Sequence, residues 1–80
     1  MEVKKVPYDP DVMAANLRSL RSRTRMTQEE VAAEGHIDKG SIFNYENGVS
    51  SPTFKNACKL ADFYHVSLDE LGGRRPLRLS

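Results

Sequence analysis

A single cysteine, Cys58, occurs in the 80 residues, so no disulfide closes within the chain, and a reducing, cytoplasmic setting fits. No apolar run approaches the ~20 residues that a membrane-spanning helix requires. The opening MEVKKVPYDP holds lysines without the apolar stretch of a secretory signal. The two histidines, together with that cysteine, are too few ligands for a metal site. His36 and His65 read as turn residues and Cys58 as core filler. Paired carboxylates, a nucleophile beside a base and a phosphate-cradling loop are all missing, which argues against an enzyme. Neither a cofactor nor a metal is expected. Strand patterns, internal repeats and low-complexity segments are absent too. A chain this short hides only roughly 60–65% of its unfolded surface, so its core must be efficient.

What is present is charge of both signs and dense helix punctuation. Basic and acidic groups nearly balance, at a net charge of +1. The basic groups gather toward the two ends, with Arg74, Arg75 and Arg78 at the close, and the middle is acidic. That distribution admits an anionic partner and equally a pair of solvated tails.

Five short helices are predicted. Residues 1–8 lack periodicity and read as an arm. Asp9 is an N-cap with Pro10 at the first helical position. Met13, Leu17, Leu20 and Thr24 follow at helical spacing, ending near Arg23. Thr27 and Glu30 form a capping box flanked by the staple Met26/Val31, which starts helix two at Gln28 and carries it to Glu34. Gly35 stops it with a left-handed residue. Asp38 caps helix three, with Ile37 and Ile42 as staple and Gly48 as the end. Helix four spans about 53–64, capped by Ser51 or Thr53, with Phe54, Ala57, Cys58, Leu60, Ala61 and Tyr64 inward. Ser67 and Glu70 box a short helix five, about 68–71. Residues 72–80 read as a flexible basic tail or a linker. Phe63 lies beside the inward stripe of helix four, as a core edge or a dimer contact.

The link between helices two and three, Gly35 to Ile37, is short enough to fix a steep angle, the helix-turn-helix arrangement. Ala32 gives the small residue needed where the two helices approach. Val31, Ile37, Ile42 and Tyr45 point inward. An outer stripe at positions 40, 43, 44 and 47 is left over. A major groove admits an α-helix and presents donors, acceptors and thymine methyls. Asn44 suits an adenine edge, Lys39 a guanine edge or a phosphate, and Phe43 a thymine methyl. Gly40 lets the helix sit closer to the bases. Thr27 and Gln28 offer polar groups and backbone N–H groups where a phosphate would lie.

Taken in register, Leu17, Leu20-Arg21, MTQEEVA, Ile37, Ile42, YENG, Pro52 and KLADFYHVSLDEL resemble the helix-turn-helix domain of the Cro and phage-repressor family, also called the XRE family. The resemblance spans residues 13–71. It implies an all-α, compact five-helix lambda-repressor-like domain over residues 9–71. It also implies sequence-specific binding to double-stranded DNA, usually by a homodimer on a palindromic operator. Such a protein would be a bacterial or phage transcriptional regulator, cytoplasmic and nucleoid-associated. By the same resemblance, Lys39, Gly40 and Asn44 match base-reading positions, with Phe43 as an accessory. Gln28 matches a phosphate contact, Asn47 lies near the phosphates, and Arg21 with Glu46 matches an ion pair between helices one and three. Arg21 and Glu46 each lie at the rim of an apolar stripe, which supports that pair independently.

Three departures carry expectations of their own. His36 stands where the family has glycine and Gly35 where it has an apolar residue, so the left-handed residue falls at Gly35 or at His36 itself. His65 also replaces a glycine. The loop VSSP lacks the family's lysine or arginine, so few phosphate contacts and a modest, salt-sensitive affinity are expected. That neutral loop and the acidic middle keep a rival reading open: a protein-interaction module of the same fold, antitoxin-like or regulator-binding.

Overall fold

The computed structural model describes residues 8–77. Residues 1–7 of the expected arm and Arg78 of the expected tail lie outside the described residues.

Five helices follow one another: α1 (Pro10–Thr24), α2 (Gln28–Gly35), α3 (Lys39–Glu46), α4 (Phe54–Tyr64) and α5 (Leu68–Leu71). Each starts where a short polar side chain satisfies an orphan first-turn N–H group. Asp9 accepts from Asp11 N at 2.9 Å, Asp38 from Ser41 N at 3.2 Å, and Thr53 from Asn56 N at 3.1 Å. Thr53, not Ser51, caps α4. Full capping boxes open α2 (Thr27/Glu30) and α5 (Ser67/Glu70).

Three helices end on a non-glycine residue in the left-handed region: Arg25 (φ 56°), His36 (φ 57°) and His65 (φ 57°). Of the two solutions open for the elbow, the structure takes His36. The expectation that Gly35 turns the chain is corrected: Gly35 is the last helical residue of α2 and is buried. The His36 N–H reaches back to the Ala32 carbonyl, and so does Ile37 N at 3.0 Å. Those two bonds satisfy the helix end without glycine, and histidine tolerates the conformation better than most residues.

The core draws on every helix. Met13, Leu17 and Leu20 come from α1, Val31 and Ala32 from α2, and Ile37, Ile42 and Tyr45 from the elbow and α3. Leu60, Ala61 and Tyr64 of α4 and Leu71 of α5 complete it. Four expected inward residues are not there: Ala57 and Cys58, the latter expected as core filler, are only half-buried on the flank of α4 outside the cluster, and two more are exposed. Thr24 is exposed, because the last turn of α1 runs past its neighbours and its hydroxyl donates to Arg21 O instead. Phe54 is 76% exposed; as the first residue of α4 it precedes the turn that meets the core. Phe63 packs at the core edge, its ring 5.1 Å from Tyr64 in a T-shaped contact.

Polar side chains of α1 tie the ends together. Asn16 Nδ2 donates to the carbonyls of Glu70 and Leu71, each at 3.1 Å. It thereby serves carbonyls at the C-terminus of α5, where Glu70 O also accepts from Gly73 N at 3.2 Å. Residues beyond α5 run against it: the N–H groups of Arg74 and Arg75 donate to Asp69 O, and both guanidinium groups face the Asp69 carboxylate. Gly73, at φ 79°, presses on Val12 of α1 so closely that a Cβ would collide with its Cγ1. Only glycine meets both demands.

Candidate nucleic-acid interface

The candidate surface begins with how α3 is hung. Glu46, at its C-terminal end, is 3% exposed. A carboxylate so deeply placed needs full compensation. Arg21 of α1 provides it through two parallel bonds, Nε to Oε2 at 2.7 Å and Nη2 to Oε1 at 3.0 Å, the bidentate fork that suits arginine. Arg21 Nη1 also donates to Met26 O at 3.1 Å, and Gln28 Nε2 donates to Glu46 Oε1 at 3.2 Å. Arg18 of α1 donates to the Glu46 carbonyl. The Glu46 hydrogen bond raises the Arg21 pKa further above its already high ordinary value. Burial, and next the nearby Glu46 charge, push the Tyr64 hydroxyl up to about 12. One buried carboxylate thus joins α1, the start of α2 and the end of α3.

Beside that anchor α3 presents a stripe to solvent. Lys39 and Phe43 lie one turn apart, as do Gly40 and Asn44. The Lys39 side chain is 57% exposed and Phe43 52% exposed; Asn44 is half-buried. None of these is packed into the core. At Gly40 a Cβ would sit 2.9 Å from Asp38 Oδ2, the oxygen that caps the helix. The bare residue leaves the cap undisturbed as well as clearing the surface. Asn47 folds back, donating to Phe43 O at 2.8 Å, so it closes its own helix. Gly48, at φ 70°, then turns the chain, and Val49 N donates to Asn44 O at 2.9 Å.

Beside this face Arg21, Thr27, Gln28, Glu29 and Lys39 line an open hollow of about 370 Å³. The structure therefore brings Thr27 and Gln28 together with Lys39. The N–H groups of the first two residues of α2 lack helical partners by geometry and make that end attractive to an anion. Gln28 differs from expectation in one respect: its amide is drawn inward onto Glu46.

Several contributors escaped the sequence. Glu29 pairs with Lys39 at 2.7 Å, a partner ten residues away on another helix, so spacing gives no clue. The Lys39 hydrogen bond lowers the Glu29 pKa. Lys59 of α4 donates to the His36 carbonyl at 2.8 Å and braces the elbow. Asn56 donates to the Tyr45 hydroxyl at 2.9 Å. Among the described residues no group of His, Cys, Asp and Glu could hold a metal ion, and no helix is long and apolar enough to cross a membrane.

An elbow of two short helices, the second exposing a polar stripe, defines the helix-turn-helix class. The chain belongs to the helix-turn-helix family of Cro/C1 type, whose model matches residues 17–71. It is 40% identical over 58 residues to the cryptic phage CTXphi transcriptional repressor RstR of Vibrio cholerae serotype O1, covering 72% of this chain and 52% of that one. It is 31% identical over 62 residues to the HTH-type transcriptional regulator ImmR of Bacillus subtilis, covering 78% and 49%. The chain spans about half the length of these relatives. A transcriptional regulator from Listeria innocua shares the fold, with a TM-score of 0.73 at 21% identity, over 94% of this chain and 68% of that one.

Proposed function

We propose that this chain binds double-stranded DNA in a sequence-dependent way and regulates transcription by occupancy, in the manner of a repressor. The observation that carries the proposal is the outward stripe Lys39–Gly40–Phe43–Asn44 on α3, held in place by the Arg21–Glu46 ion pair, whose Glu46 is buried at the edge of that stripe. In this reading α3 enters the major groove. Lys39 and Asn44 address base edges, Phe43 touches a thymine methyl, and Gly40 permits close approach. Thr27, Gln28 and the first N–H groups of α2 meet the backbone, the Gln28 NH2 having a second N–H besides the one given to Glu46, and Asn47 lies near the next phosphate. Residues 9–71 form the reading unit, with 1–8 as an arm and 72–80 as a tail. A homodimer on a palindromic operator, in a bacterial or phage-derived cytoplasm, completes the proposal. It requires no catalysis and no cofactor. The names of the relatives, a phage repressor and an HTH-type regulator, support it.

Selection from random duplexes followed by titration across a salt series tests it. A preferred sequence and a steep negative slope of log K against log salt are expected. Asn44→Ala then loses about 1–3 kcal/mol at one base pair only. Binding without sequence preference or salt dependence would instead favour a protein-interaction module.

A further inference from the structure

One contact at the seam of α2 and α3 is not used by the reading above. Lys39 Nζ donates to Glu29 Oε1 at 2.7 Å, and both side chains stand well in water, 57% and 72% exposed. An exposed ion pair does little for stability, because ordering two long side chains offsets the attraction. Its position is more telling. Glu29 follows Gln28 in the first turn of α2, on the rim of the hollow shared with Thr27 and Lys39. Under the proposed docking that rim faces DNA phosphates. A carboxylate there weakens binding to every sequence.

We propose that Glu29 is a specificity-determining positioning residue, which tethers the Lys39 ammonium beside α2 so that it addresses a guanine edge and not the phosphate backbone. The inference rests on the DNA-binding reading and deepens it. An ammonium has three donors. One is taken by Glu29, and two remain for the O6 and N7 acceptors that guanine presents in the major groove. Without the tether, the flexible lysine stem lets the charge reach phosphates, contacts that hold a protein on DNA without reading it. The Glu29 charge further lowers affinity for all duplexes alike, so a larger share of discrimination falls on the base contact.

The test compares the parent chain with Glu29→Ala, Glu29→Gln, Lys39→Ala and the Glu29→Ala/Lys39→Ala double variant. The probes are the duplex that the parent chain selects from a random pool, its single-base variants and an unrelated duplex, each titrated over a salt series. Glu29→Ala is expected to bind the unrelated duplex more tightly, with a salt slope steeper by about one. Its preference at one G·C pair should fall about tenfold. Glu29→Gln, which can still accept from Lys39, should recover part of that preference. In the Lys39→Ala background the Glu29 change should leave base preference alone. If Glu29→Ala retains full preference at every position, or shifts it equally with and without Lys39, the tether is overturned while DNA reading stands. If the parent chain selects no sequence at all, both fall.

Discussion

At the scale of single residues, the elbow places glycine and histidine in an unusual order. Gly35 sits inside α2, where a residue with a side chain would lose less freedom on folding. An added Cβ there would have nothing within 4 Å. His36 carries the left-handed turn at φ 57°, where glycine is the residue without penalty. Gly35→Ala is therefore expected to raise stability by about 0.5–1 kcal/mol, read as an upward shift of the denaturant midpoint. Were Gly35 the turning residue, the same change would lower it. The pattern HTH-type sequences follow left this point open, since either residue could close the helix. Only the bonds from His36 and Ile37 to the Ala32 carbonyl decide between them.

At the scale of elements, α3 depends on α1 more than on its own helical tendency. A helix of eight residues is marginal alone, so packing and side-chain anchors fix it. Arg21→Ala would leave the buried Glu46 carboxylate with only the Gln28 amide. A loss of about 3 kcal/mol is expected, the low end for breaking a buried pair because Arg21 itself remains partly in water. Chemical denaturation measures it, and a change below about 1 kcal/mol would show that Glu46 finds other partners. The Arg21/Glu46 pairing was legible because both lie at stripe edges and match the family pattern. The caps and boxes were legible because they act within one turn. Lys59 on the His36 carbonyl and Glu29 on Lys39 were not, since long side chains reaching across helices leave no periodic trace. Phe54 and Thr24 show the other limit: helical spacing marks a face, but not how far along the helix its neighbours extend.

At the scale of the whole molecule, the five helices share one core, and its polar edge responds to pH. Tyr64 borders the Arg21–Glu46 pair, and burial raises its hydroxyl from 10.0 to about 12. The folded state thus favours the neutral phenol, and the associated stability is fully present below pH 10. It is lost as pH rises from 10 toward 12, where the unfolded chain ionises first. Melting temperature should fall through that window, and Tyr64→Phe should flatten the fall; an equal decline in both would assign alkaline unfolding to other groups.

The bonds from Asn16 to the carbonyls of Glu70 and Leu71 bear on how a ribosome makes this protein. Of the five helices α1 is made before the others, and it finds these acceptors only after α5 has followed. Until α5 emerges the nascent domain is an elbow still awaiting its closing clasp, and its completion is timed by α5, not α1.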